Sequence, residues 1–188
     1  ALDILILLWV VAKIVSGVFL WRTVAGLVNR LGQSYDILGL YFLFRCLVRN
    51  TADLRLLART ISWVVVPMGL FMLLEVLTGR NIFSIFGGVP EYTVIREGRL
   101  RAQGTFRHPI LAGTFGAWAF AVIVSRYHST SRPGLVTYLG VGASVVIVAA
   151  SSSSGPILAL AAGVAGLFAW LIRAYMKSIR RLALGGIV

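Results

Sequence analysis

Apolar residues in this chain come in long runs rather than in the narrow stripe of a water-facing helix, so each run is weighed against the thickness of a bilayer. A spanning helix takes about 20 mostly apolar residues. The interval between Arg59 and Arg80 offers 20 positions with a single acid, Glu75, near its end. Pro67 inside it is expected to kink that helix rather than end it. Pro109 to Ser125 gives 17 uncharged residues opened by a proline in the favoured first-turn position. Between Arg132 and Arg173 lie 40 uncharged residues, and Ser151-Ser152-Ser153-Ser154-Gly155-Pro156 near the middle predicts two helices joined by a tight turn. The first run, Ile4 to Trp21, is broken only by Lys13. Ile37–Phe44 is short and is followed by Arg45 and Arg49, the pattern of a re-entrant or tilted helix whose arginines snorkel.

The expected fold is all-α, a polytopic transmembrane helical bundle of about five to six membrane helices, in a single membrane domain over 1–188. One outward loop containing a short hairpin is expected to interrupt it. The chain opens on Ala1 with no initiator Met, and an apolar run restarts at Leu182 and stops at Val188. It is therefore expected to be an internal fragment of a larger polytopic protein, with the remaining helices of that protein as its nearest partners.

Composition supports the bilayer. The AVILMFWYC set makes up 59% of the chain and charged residues 13%, against a usual charged share of about 25%. Mean hydropathy is +0.90, too high for a water-exposed globule of this size. Eighteen Lys+Arg against six Asp+Glu give a formal charge of +12, which in such a chain reads as membrane topology and contact with anionic membrane lipids, not nucleic acid. The single cysteine, Cys46, allows no intramolecular disulfide.

Lys and Arg in short loops mark the cytoplasmic side. Arg45, Arg49, Arg55 and Arg59 precede the Pro67 helix, Arg126 and Arg132 follow the Pro109 helix, and Arg173, Lys177, Arg180 and Arg181 close the last one. All three groups are consistently placed inside, with the uncharged Ser turn outside. Gly79–His108 must then face outward although it holds Arg80, Arg96, Arg99, Arg101 and Arg107. That breach of the charge rule makes the loop the candidate functional segment.

Within it, Tyr92-Thr93-Val94-Ile95-Arg96, Glu97-Gly98 and Arg99-Leu100-Arg101-Ala102-Gln103 read as a hairpin on a two-residue turn. Alternation puts Arg99, Arg101 and Gln103 on one face, with residues two apart separated by roughly 6.6 Å. That spacing suits neighbouring phosphoryl groups of one diphosphate, and Arg is the better residue for bidentate phosphate contact. Arg107 and His108 lead into the Pro109 helix, whose N-terminus favours an anion. The candidate binding residues are thus Arg80, Arg99, Arg101, Gln103, Arg107 and His108. The alternative is solvated or lipid-bound arginine, since the chain holds 16 Arg against 2 Lys.

His108 suits a proton carrier, a phosphate donor or an N-cap. Glu75 is either a functional intramembrane acid or the partner of an arginine such as Arg80. The four serines lack a nearby base in sequence and read as a helix cap and turn. His128 and Cys46 receive no role. The small-residue stripes Gly113/Ala117/Ala121, Ala159/Gly163 and Ala162/Gly166 read as bundle contacts. Metal-ligand spacing and nucleotide fingerprints are absent.

The run Leu77-Thr78-Gly79-Arg80-Asn81, followed by Arg99-Leu100-Arg101-Ala102-Gln103-Gly104-Thr105-Phe106-Arg107-His108-Pro109-Ile110-Leu111-Ala112-Gly113, resembles the O-antigen ligase and polysaccharide polymerase-like membrane proteins. Their pattern is Arg-x-x-Gly-x-Phe-x-(Asn/His)-Pro leading into a helix, and Ser153-Ser154-Gly155-Pro156 is similar to the family's Ser-rich turn. The resemblance implies a multi-pass protein of the bacterial inner membrane. Such a protein would be a glycosyltransferase for lipopolysaccharide or exopolysaccharide biosynthesis, taking glycan from undecaprenyl diphosphate at the periplasmic face with no metal ion or cofactor. Arg101 matches the Arg-x-x-Gly arginine expected to hold the leaving diphosphate. The family's catalytic histidine comes in a later loop, so no catalytic base is assigned here and the chain is expected to be inactive alone. A transporter or channel subunit, and a non-catalytic membrane scaffold, are the alternative functions.

Overall fold

The computed structural model describes residues 2–127 and 134–175, and the chain divides into two compact units, Ala1–Leu54 and Arg55–Val188. His128, Arg132, Lys177, Arg180, Arg181 and the closing apolar run lie outside the described residues.

The first unit is a pair of helices, α1 (Leu2–Trp21) and α2 (Val24–Leu47). Thr23 caps α2, its side chain accepting from the Gly26 N–H at 3.1 Å. Gly17 of α1 admits the Arg30 side chain, since a Cβ there would lie 2.6 Å from Arg30 Nε. At the far end, Asp3 accepts from both Tyr41 and Arg45. Ile37–Phe44 is thus the second half of one continuous helix rather than a short element of its own. The polar residues Asn29, Arg30 and Gln33 hid its first half, and they bond to each other along the helix surface. Lys13 sits over the Trp9 ring at 5.7 Å.

In the second unit α3 (Thr51–Thr78) runs through Pro67 without ending and enters the unit at Arg55. It is followed by a 3-10 turn (Ile82–Phe86), strands β1 (Val94–Arg96) and β2 (Arg99–Arg101), then α4 (Pro109–Tyr127), α5 (Leu135–Ala150) and α6 (Ser154–Leu171). The core is built from Val65, Met68 and Met72 of α3, Ala112, Ala119 and Ile123 of α4, and Ile147 of α5. Small residues bring the backbones together: a Cβ on Gly69 would sit 3.0 Å from Ala143 Cβ, and one on Gly140 would sit 2.8 Å from Ser62 Cβ. Gly113 of the predicted stripe has Ser151 and Pro156 pressed against it. Ala121 is exposed, and the α6 stripes are not packing contacts among the described residues: Ala159, Ala162 and Gly166 are exposed, and Gly163 has no neighbour within 4 Å of a Cβ position.

Six α-helices are described. Three of them, Leu2–Trp21, Thr51–Thr78 and Ser154–Leu171, are long and apolar enough to cross a membrane, while Pro109–Ser125 and Leu135–Ala150 are shorter apolar helices. The protein is accordingly all-α apart from one hairpin, and membrane-associated by composition.

Candidate functional site

The hairpin forms on the predicted turn. Val94, Ile95 and Arg96 pair with Arg101, Leu100 and Arg99, and the turn residues Glu97 and Gly98 both have positive φ, 54° and 72°, the signature of a type I′ connection. The strands are shorter than expected because the flanking backbone groups bond elsewhere. Tyr92 bridges to Arg80, the Ala102 N–H donates to Ala150 O at 3.0 Å, and the Gln103 N–H donates to Glu75.

Glu75 is the clamp at the hairpin's base. Its carboxylate, 1% exposed, accepts from the N–H groups of Gln103 (3.1 Å) and Gly104 (2.9 Å), with the Thr93 hydroxyl at 3.4 Å. The expected pairing with Arg80 is not made. Gly104 turns the chain at φ +56° directly over Met72, a conformation that strains any side chain, with a Cβ position 3.1 Å from Met72 Cγ. Its carbonyl accepts from Asn81 Nδ2 at 2.8 Å. The last turns of α3 and the residues just beyond therefore hold both ends of the hairpin.

With the base fixed, β2 lies across the junction of α5 and α6. Arg101, 9% exposed, donates from Nη2 to Ser153 Oγ at 2.6 Å, and the Ser153 hydroxyl donates on to Ser151 O at 2.9 Å. Arg101 Nε is buried and has no partner. A cavity of about 700 Å³ opens beside it, lined by Arg96, Arg99 and Arg101 on the hairpin side and by Ser152, Ser153 and Ser154 on the other. Ser154 is the first residue of α6 and Ser153 its N-cap, with no side chain capping the helix. The free N–H groups of that helix start and the positive end of its dipole thus border the cavity.

Three guanidinium groups line this space against one carboxylate, Glu97, which pairs with Arg96 at 3.5 Å. Arg96 and Arg99 are direct cross-strand partners, a like-charge arrangement that destabilises a hairpin. An anion bound between them would relieve that repulsion.

Of the residues expected from sequence, Arg99 and Arg101 share the cavity. Gln103 lies past the end of β2, and its side-chain Nε2 is buried without a partner. Arg80 is elsewhere, stacked on Tyr92 at 5.5 Å with Glu91 at 3.9 Å. Arg107 and His108 are exposed and do not line the cavity. The His108 carbonyl accepts from Leu111 and Ala112 N–H at the start of α4, the backbone part of an N-cap. The helix N-terminus at the cavity is therefore that of α6, not α4. The Ser turn is more than a cap, since it supplies one wall, and no periodicity in the sequence links it to Arg101 over 52 residues. Among the described residues no group of three His, Cys, Asp or Glu comes together to hold a metal ion. No family model, curated protein or solved structure matches the chain.

Proposed function

We propose that this chain belongs to a multi-pass glycosyltransferase of the bacterial inner membrane that handles undecaprenyl-diphosphate-linked glycan at the periplasmic face, with five to six helices crossing the bilayer. The observation that carries the reading is the buried Arg101, which lines an arginine-rich cavity at the start of α6 and whose Nε is left without a partner. In glycosyl transfer the acceptor hydroxyl attacks the anomeric carbon, the bond from that carbon to the diphosphate oxygen breaks, and the diphosphate leaves as an anion. Fixed positive groups are most useful where that leaving charge develops. Arg101 and the α6 N-terminus are preorganised for it, and Arg99 and Arg96 add charge at the more exposed side. The acceptor's proton goes to a base outside the residues assigned here. Ligation to a lipid A core and polymerisation of repeat units use the same step with different acceptors.

The membrane-transporter reading finds less support. Lys13 and Glu75, its candidate intramembrane charges, have no ion-pair partner among the described residues.

The test is transfer from a purified undecaprenyl-diphosphate glycan by the full-length protein. Arg101→Ala is expected to cost about 2–4 kcal/mol of transition-state stabilisation, roughly 30- to 1,000-fold in rate. Arg101→Lys, which keeps the charge and loses the fork, should retain only part of the activity. Arg59→Ala, in the N-terminal third of α3 and away from the hairpin, is the control. A well-folded Arg101→Ala with normal turnover, or equal losses for Arg101→Ala and Arg59→Ala, would overturn the assignment and leave a lipid-binding scaffold.

A further inference from the structure

The 3-10 turn Ile82–Phe86 of the arginine-rich loop folds back against α3, the apolar helix preceding it. Phe83 meets Phe71 edge-on, with ring centroids 5.3 Å apart. Phe71 lies seven residues before the last residue of α3, about 10 Å down the helix from its end at 1.5 Å per residue. The turn is held there. Asn81 caps it, accepting from the Phe83 N–H at 3.0 Å, and is itself fixed by the Gly104 carbonyl.

This placement leaves Ile85 and Phe86 81% and 85% exposed. Leu70, Leu73 and Leu77 of α3 are also exposed. Residues 82–89 carry no charge, while the loop around them carries five arginines. Two large apolar side chains held rigidly in water would be costly, about 25 cal/mol for each Å² of apolar area left wet. The headgroup layer is about 5–8 Å deep on each side of the hydrocarbon, so a Phe83 ring seated on Phe71, about 10 Å below the end of a spanning helix, brings the turn to its inner boundary. Arg80 and Tyr92, stacked on each other just above, are the residue types found in interfacial belts.

We infer that Ile82–Phe86 is an interfacial membrane anchor, with Ile85 and Phe86 seated among the lipids at the boundary of headgroups and hydrocarbon. The inference stands apart from the proposed chemistry, since it concerns where the loop meets the bilayer and not what its cavity binds. Its consequence is that the arginine cavity is tethered at membrane level rather than carried out into solvent.

The full chain in a Cys46→Ser background, with Phe86→Cys labelled by an environment-sensitive fluorophore, tests it in nanodiscs of phosphatidylethanolamine and phosphatidylglycerol. Ile85→Cys repeats the measurement should Phe86→Cys misfold, and Glu97→Cys at the hairpin tip is the aqueous reference. The anchor predicts a blue-shifted emission, with quenching by a lipid-borne nitroxide near the headgroup several-fold stronger than at Glu97→Cys, and weak quenching by iodide. Iodide quenching equal to that at Glu97→Cys would place the turn in water. Protection from both quenchers would mean that protein covers it. Either result overturns the inference.

Discussion

Replacing Glu75 by Gln isolates the clamp beneath the hairpin, because the side chain keeps its size and loses one acceptor. In the native protein both carboxylate oxygens receive a backbone N–H, at 3.1 Å from Gln103 and 2.9 Å from Gly104. Gln offers one carbonyl oxygen and turns an NH2 group toward the other backbone donor, which is left buried and unpaired. An orphaned buried donor costs about 1–3 kcal/mol, and no water reaches a residue that is 1% exposed to replace the bond. With about 2–4 °C of Tm per kcal/mol for a chain of this size, Glu75→Gln should melt about 2–12 °C lower, followed by intrinsic fluorescence or detergent-stable chromatography. Glu91→Gln, on an exposed pair with Arg80 at 3.9 Å, should shift stability by less than about 0.5 kcal/mol. Thr93→Val removes the third donor to the same carboxylate, so the double variant should fall short of the sum of the singles by about 0.5 kcal/mol or more. A Glu75→Gln variant as stable as Glu91→Gln, or strict additivity with Thr93→Val, would refute the clamp.

Gly113→Ala should lose about 1–3 kcal/mol of stability by overpacking, since its new methyl meets Ser151 and Pro156; thermal unfolding reads it. Ser153→Ala removes the oxygen that accepts from Arg101 at 2.6 Å, and should weaken binding of a prenyl-diphosphate analogue several-fold by titration calorimetry while leaving the hairpin folded. Glu97→Asn suits the positive φ of its turn position and removes the one acid of the cavity. It should hold or raise Tm, tighten diphosphate binding and steepen its salt dependence. A cysteine at Glu91 in the Cys46→Ser background should react with an impermeant maleimide added from the periplasmic side of intact cells, and labelling only from the cytoplasm would reverse the topology.

What the sequence made legible was local. Pro109 starting a helix, Glu97-Gly98 turning a hairpin and the Ser run splitting an apolar stretch are each decided by residues within a few positions, and each stands where it was expected. The pairing of Arg99 with Arg101 on one face follows from alternation alone. The partners of Glu75 and Arg101 are different in kind. They lie 28 or 29 and 52 residues away, and the groups on Glu75 are mainly backbone N–H, which every residue possesses and no side-chain pattern announces. The same holds for α2, where Asn29, Arg30 and Gln33 break the apolar run while satisfying one another. Gln103 fell out of the predicted face because the strand ended two residues early, once its backbone had a better acceptor in Glu75.

The clamp also imposes an order on biosynthesis. Gly104 is 29 residues beyond Glu75, so at about 5–20 residues per second the backbone groups that receive the carboxylate follow it out of the ribosome roughly 1–6 s later. For that interval the span carries an acid whose only partners are water and headgroups, which favours holding its end at the interface. Once the loop has emerged, Gln103 and Gly104 can close over the carboxylate, and the end of α3 should then settle deeper. The hairpin is in this sense the last step in inserting the helix before it, and a chain that stalls between residues 75 and 104 should present α3 to the bilayer at a shallower position than the finished protein does.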